Sequence, residues 1–224
     1  MTRRGAKLKV GVLISGRGSN LQALIDASAD PAYPAEIVFV ISNRSEAQGL
    51  QRAADAGIAQ QIIAERDRAV FAAAADRALR QHGVELIALA GFMRLLDTGF
   101  VAAWRDRMIN IHPSLLPAFP GLHPQCQALM AGVRFSGCTV HFVRAEVDTG
   151  PIIAQAVVPV HDDDSEESLS ARILAAEHRL YPLAVRLYAE GRLRIDGNRI
   201  AVTGGTAPDI AVLNPLEALA SRGG

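Results

Sequence analysis

Asn110, His112 and Asp148 are the residues whose types and spacing best suit chemistry on a carbonyl group. Asn110 and His112 stand two apart at the end of the apolar run Met108 to Ile111, so a strand there turns both side chains to one face. An amide donor and an imidazole then share one pocket. Asp148, in Val147-Asp148-Thr149-Gly150-Pro151, brings a carboxylate from a separate loop. The trio supplies a hydrogen-bond donor, a titratable acid/base and a charge to tune it, the set that acyl-group transfer requires.

A second chemical signal is Ser15-Gly16-Arg17-Gly18-Ser19-Asn20, between the first expected strand and the first expected helix. Two readings fit the glycines. They make a tight turn, or they let the backbone approach a ligand while the amides of Gly18, Ser19 and Asn20, at a helix N-terminus, hold a phosphate dianion. The position directly after the first strand favours the phosphate. Leu21 stands where a dinucleotide fingerprint has its third glycine, and the second strand ends in Asn43-Arg44 with no acid for a ribose. The Lys-Ser/Thr of a nucleoside-triphosphate loop is also missing, so a phosphate monoester fits better than NAD or ATP.

The elements that must position these groups follow a βαβ rhythm. Leu8 to Ile14, Glu36 to Ser42, Ile58 to Ile63 and Val84 to Ala90 are short apolar runs, separated by the helical patterns Leu21 to Ala27, Ala47 to Ala56 and Arg68 to Arg80. The predicted fold is α/β and Rossmann-like, a mostly parallel central sheet with helices on both faces and ligands at the carboxyl ends of the strands. Beyond Gly137 the pattern changes: Thr139 to Val143 and Ile152 to Val160 read as strands, and a long helix starts near Ser165. Asp164 or Ser165 caps that helix, with Glu166 and Glu167 at the favourable end of its dipole. Leu169, Ile173, Ala176, Leu180, Ala184 and Leu187 form its buried stripe. Gly197-Asn198 separates Arg192 to Ile195 from Arg199 to Val202 as a small hairpin. One domain is expected over 1–205, its N-terminal half holding phosphate and nucleotide. A peripheral tail follows at 206–224, with a weak helical pattern from Ile210 to Leu219 that docks on a neighbour or does nothing.

Composition limits the partners. The 224 residues are half hydrophobic, with 23 Lys plus Arg against 23 Asp plus Glu. That balance disfavours nucleic acid and anionic membranes and points to small-molecule substrates. Val10 to Ile14, after the basic N-terminus, is too short for a signal-peptide core or a membrane span, so the expected location is cytoplasmic. Cys126 and Cys138 make neither a CxxC pair nor a zinc-ligand cluster and are expected to stay reduced. Asp162-Asp163-Asp164 reads as a solvated helix cap, and no metal is assigned.

The motifs together resemble a known family. Gly-Arg-Gly-Ser-Asn-Leu-Gln at 16–22, Ala-Gly-Phe-Met-Arg at 90–94, Asn-Ile-His-Pro-Ser-Leu-Leu-Pro at 110–117 and Val-Asp-Thr-Gly-Pro at 147–151 are similar to the phosphoribosylglycinamide formyltransferases, folate-dependent formyltransferases. The match runs in order over roughly residues 8 to 202. What it implies is the formyltransferase fold and transfer of a formyl group from 10-formyltetrahydrofolate, the co-substrate, to the amine of glycinamide ribonucleotide in purine synthesis. By the resemblance, the phosphate loop falls on Gly18, Ser19 and Asn20, and Glu177 holds the ribose hydroxyls. Met93, Arg94, Leu95 and Leu96 give walls and backbone contacts for the pterin of the folate, with Asn110. Val143 and the loop 144–148 form the opposite wall, and Arg68 meets the glutamate tail.

For that reaction a neutral amine attacks the formyl carbon, leaving an oxyanion and an ammonium. Asn110 and protonated His112 donate to the oxygen. A histidine titrating at about 6.5 needs a carboxylate beside it to favour the imidazolium, and Asp148 is the candidate. Asp148 also accepts the amine proton through a water, and no metal is required. His141 alternates with Thr139 and Val143 and lines the site or sits one layer behind it, the second being favoured. His123 follows Phe119-Pro120-Gly121-Leu122 where the family often has His-x-His; here Gln125 replaces the second histidine, and Ala118 stands where a lysine can occur. His82, His161 and His178 read as surface.

Other readings stay open. Methionyl-tRNA formyltransferase and formyltetrahydrofolate hydrolase share the formyl-transfer core but carry an extra domain, for which a chain of this length leaves no room. A noncatalytic phosphosugar or folate sensor on the same fold would bind without turnover. The assembly is a monomer or a homodimer.

Overall fold

The computed structural model describes residues 6–215. The chain begins as alternating strands and helices: β1 (Leu8–Ile14), α1 (Ser19–Ser28), β2 (Ala35–Ser42), α2 (Gly49–Asp55), β3 (Ala59–Ile62), α3 (Arg68–Gln81), β4 (Leu86–Leu89), α4 (Thr98–Ala103) and β5 (Met108–His112). It continues through α5 (Pro124–Met130), β6 (Phe135–Phe142), β7 (Ile152–Pro159), α6 (Glu166–Ala189), β8 (Leu193–Asp196) and β9 (Arg199–Val202).

Seven strands form one sheet in the order β3-β2-β1-β4-β5-β6-β7, and β8 pairs with β9 apart from it. β1, β2, β3, β4 and β5 run parallel, while β6 is antiparallel to both β5 and β7. The strand order reverses between β1 and β4. At such a switch point the loops leaving the two carboxyl ends diverge and open a crevice, where ligands bind in open α/β sheets. Here those loops are Ser15 to Gly18 and Ala90 to Arg94.

Period-two alternation splits the core between the two faces. Val10, Val12 and Ile14 of β1 pack with Leu21 and Leu24 of α1 and with Leu169, Ile173, Tyr181 and Val185 of α6. Leu13 points the other way, to the cluster of Phe71, Ala75 and Leu79 of α3, Phe100 of α4 and Trp104 just after it. Each face is therefore covered by helices. Ser165, not Asp164, caps α6: Ser165 accepts from the Ser168 N–H, and Ser168 Oγ accepts from the Ser165 N–H, a reciprocal cap. Asp164 instead binds Arg172 at 2.7 Å, and this guanidinium holds the Asp164 carboxyl far below the usual range.

Several boundaries differ from expectation. β3 is limited to Ala59–Ile62 and exposed throughout, at the edge of the sheet where it pairs with β2 alone. β6 begins at Phe135, four residues earlier than expected, because residues 135–141 all find partners on β7. The two short helices α4 and α5 carried no clear periodic signal. In the tail, residues 206–213 form neither helix nor strand and are exposed, which corrects the weak helical reading there; 216–224 lie outside the described residues. Asn214 Nδ2 donates to the Val160 carbonyl at 3.0 Å and to the Arg134 carbonyl.

Candidate active site

β5 ends at the centre of the site. Asn110 pairs across the ladder with His141 of β6, and His112 pairs with Thr139, so all four side chains lie on one face near the open end of the sheet. Asn110 Nδ2 stands 3.3 Å from His141 Nε2, and His141 Nδ1 is 3.0 Å from the Phe142 carbonyl. The Phe142 carbonyl takes the proton on His141 Nδ1, and His141 Nε2 stands between the Asn110 amide and Asp148. The ring thereby orients the amide from behind.

Asp148 reaches both histidines. Its Oδ2 lies 3.4 Å from His112 Nδ1 and its Oδ1 lies 3.5 Å from His141 Nε2. Oδ2 also accepts from the Gly121 N–H at 2.9 Å. Burial works against ionisation of Asp148, but the bond from His141, the Gly121 N–H and the charges of His112 and His141 outweigh it and hold its carboxyl below the usual carboxylate range. The other nitrogen of His112, Nε2, faces the Phe119 carbonyl at 3.0 Å. His112 thus has an acceptor at each end.

Backbone strain gathers here. Phe119, His123 and Asp148 all have φ between 54° and 56°, in the left-handed region that side-chain-bearing residues avoid. Such conformations cost about 1–3 kcal/mol each and persist where surrounding contacts enforce them. The bond from Gly121 to Asp148 is such a contact, tying the 119–123 loop to the 144–148 loop.

On the β1 side, Gly18 is the residue before α1 and has φ 71°. The N–H groups of Ser19 and Asn20 belong to the helix's first turn, where no intrahelical partner exists. The Asn20 side chain is buried and donates to Glu177 Oε2 of α6 at 2.7 Å, while Asn20 Oδ1 has no hydrogen-bond partner. Glu177 is only 5 % exposed, although a lone acid on a helix is usually at the surface. Burial pushes its carboxyl up to about 7, against the smaller opposing effect of the Asn20 bond.

The β4 side carries the residues expected to meet a folate. Met93 is 71 % exposed and Leu95 54 %, while Leu96 and Val143 are half-buried against the α3-side core. Arg94 turns its guanidinium away to the carbonyls of Glu65 and Arg66 and over the Phe71 ring, 4.9 Å from its centre, leaving its backbone at the loop surface. Arg68 is the exposed first residue of α3.

Some positions escaped the sequence reading. Ser15 Oγ donates to Asn43 Oδ1 at 2.6 Å and accepts from the Met93 N–H at 2.9 Å, joining the ends of β1, β2 and β4. Tyr181, one turn after Glu177 on α6, is fully buried and donates to the carbonyls of Leu89 and Ile109. A tyrosine repeating the Glu177 position at i+4 was the available signal. His178 is half-buried rather than fully at the surface: its Nε2 is buried without a hydrogen-bond partner, and burial lowers its pKa. His82 is exposed but stacks on Phe39 at 3.8 Å, and His161 meets Arg172 at 3.0 Å. Among the described residues no group of three or more His, Cys, Asp or Glu is arranged to hold a metal ion, and no helix is long and apolar enough to cross a membrane.

Known proteins share this sequence and fold. Residues 8–185 match the formyl transferase family. The chain is 42 % identical to the phosphoribosylglycinamide formyltransferase of Escherichia coli over 204 residues, 90 % of this chain and 96 % of that one. It is 56 % identical over 191 residues to the trifunctional purine biosynthetic protein adenosine-3 of Drosophila pseudoobscura, covering 83 % of this chain but only 14 % of the much longer relative. The crystal structure of glycinamide ribonucleotide transformylase 1 from Symbiobacterium toebii superposes with a TM-score of 0.86 at 51 % identity, over 89 % of this chain and 95 % of that one. The chain belongs to the formyl transferase family, among the phosphoribosylglycinamide formyltransferases.

Proposed function

We propose that this protein transfers the formyl group of 10-formyltetrahydrofolate to the amine of glycinamide ribonucleotide, giving formylglycinamide ribonucleotide and tetrahydrofolate. The observation that carries the reading is the convergence of Asn110, His112, His141 and Asp148 beside a switch-point crevice. The glycine loop flanks that crevice on one side and exposed Met93 and Leu95 on the other. One flank suits a phosphate and the other an apolar ring.

In the reaction, the nucleotide's neutral amine attacks the formyl carbon, forming the new C–N bond while the carbonyl electrons move to oxygen. Asn110 Nδ2 and the His112 ring are the donors for that oxyanion. His112 must exchange the Phe119 carbonyl for the substrate oxygen, which couples the 119–123 loop to binding. Asp148, ionised and fixed by Gly121, keeps the imidazolium in place and receives the ammonium proton through a water. Collapse then breaks the bond from the formyl carbon to the folate nitrogen, which leaves with a proton. Gly18, Ser19 and Asn20 hold the phosphate, Glu177 the ribose, and Met93, Arg94, Leu95, Leu96 and Val143 the pterin, with Arg68 toward the glutamate.

The test is turnover of purified protein with each substrate alone and with both. Formylated nucleotide that requires both supports the transferase. Formate without nucleotide would make it a hydrolase, and binding of both ligands without product would make it a sensor.

A further inference from the structure

If the loop from Gly16 to Asn20 binds phosphate, as proposed above, the directions of its peptide groups decide how well it does so, and α2 sets those directions from outside. The Gly49 N–H donates to the Gly16 carbonyl at 3.0 Å. Arg52 Nε donates to the Arg17 carbonyl at 2.9 Å, and Arg52 Nη1 donates to Gln22 Oε1 at 3.2 Å. One guanidinium therefore spans the loop and the first turn of α1. Gln22 is itself held by Asp26 at 2.8 Å.

In a trans peptide the C=O and the following N–H point in opposite directions. With the Gly16 carbonyl turned onto Gly49, the Arg17 N–H points away from α2. With the Arg17 carbonyl turned onto Arg52, the Gly18 N–H does too. Two successive amides directed the same way, followed at Gly18 by a φ of 71°, make a concave anion cradle. The packing permits no slack. A Cβ on Gly18 would lie 2.5 Å from Gly49 Cα, and a Cβ on Gly49 would lie 2.6 Å from Ile14 Cδ1 and 3.1 Å from Gly18 Cα. The Arg52 side chain runs directly beneath, its Cδ 3.5 Å from that same Gly18 position.

We propose that Arg52 is a positioning residue for the phosphate end of the nucleotide. Its two-point bond fixes the Arg17–Gly18 peptide with its N–H toward the ligand, and its charge stands behind that amide. Gly49 supplies the second clamp on the neighbouring peptide. The effect is specific to the phosphate and leaves the formyl-transfer step alone.

The experiment compares glycinamide ribonucleotide with the unphosphorylated glycinamide riboside as acceptors, measuring kcat and KM for the wild type, Arg52→Ala, Arg52→Lys and Ser19→Glu. Arg52→Ala is expected to raise KM for the nucleotide about tenfold with kcat within about twofold, and to leave kcat/KM for the riboside unchanged. Arg52→Lys keeps a charge but not the two-point fork, so it recovers only part of the loss. Equal losses for both acceptors, no loss for either, or full recovery by lysine would overturn the assignment. Ser19→Glu sets a carboxylate at the loop mouth and separates the two levels of inference. If it leaves the preference for the nucleotide intact, the phosphate reading of the loop fails with the Arg52 role. If it removes the preference while Arg52→Ala does not, only the role of Arg52 fails.

Discussion

Asp148 Oδ2 lies 3.4 Å from His112 Nδ1, and each of the two side chains is only 7 % exposed. They are 36 positions apart in sequence, one ending a parallel strand and the other in the loop that leads into β7. The carboxylate serves His112 and His141 with different oxygens, so a single acid fixes both rings. Because bonds from His141 and Gly121 overcome the burial penalty, that acid stays charged beside His112.

Replacing Asp148 with Asn keeps the shape and removes the charge and the proton acceptor. The expected result is a fall in kcat of about 10²–10⁴-fold, the range of positioned acid–base groups, with KM for both substrates changed only a few-fold. Steady-state kinetics with each substrate varied checks this. A variant that raised KM and kept kcat would assign Asp148 to binding alone.

The same residue shapes the acid stability of the protein. A carboxyl whose folded pKa is depressed contributes stability above its unfolded value, about 3.9, and loses that contribution as pH falls through the folded value. The difference in Tm between wild type and Asp148→Asn is therefore expected to shrink below about pH 4. Thermal melts from pH 7 to pH 3 measure it, and a difference independent of pH would contradict the ionic state assigned here.

Glu177 works in the opposite sense. Its folded value is pushed up to about 7 by burial, well above the unfolded carboxyl, so the folded protein holds a proton that the unfolded chain has lost. Its contribution to stability declines as pH rises from about 4.5 to about 7 and is constant above that. Glu177→Gln keeps the acceptor for Asn20 and removes the ionisation. Its Tm relative to wild type is expected to rise over that window, while its affinity for the nucleotide falls. A gain in Tm of the same size at pH 5 and pH 8 would contradict the assignment.

Ser15 joins three strand ends through one hydroxyl. Ser15→Ala leaves Asn43 Oδ1 and the Met93 N–H without that partner, at a cost of about 0.5–1.5 kcal/mol, the net worth of hydrogen bonds between partly buried groups. Because Met93 belongs to the folate-side loop, the expected signature is a higher KM for 10-formyltetrahydrofolate than for the nucleotide, alongside a lower Tm.

The strand positions and the shared face of Asn110 and His112 were legible because both rest on periods of two within one apolar run. β1 matched its expected span of Leu8 to Ile14, since a central parallel strand is apolar from end to end. Glu177 was harder: the six apolar positions of α6 defined its stripe, and only the fold shows that Asn20, 157 residues earlier, receives a buried acid within that stripe. Ser15, Asn43, Phe119 and Gly121 contribute through hydroxyl, amide and backbone atoms whose partners lie in other elements, and local periodicity carries no information about such partners. The left-handed φ of Phe119 and Asp148 was likewise invisible, because neither residue type calls for that conformation.

The most direct measurement follows the carbon that is transferred. With 10-formyltetrahydrofolate labelled with ¹³C in its formyl group, nuclear magnetic resonance of the complete reaction is expected to show the label in the formamide of the nucleotide, one for each tetrahydrofolate released. Label accumulating as formate while the nucleotide amine stays unmodified would contradict formyl transfer as the function of this site.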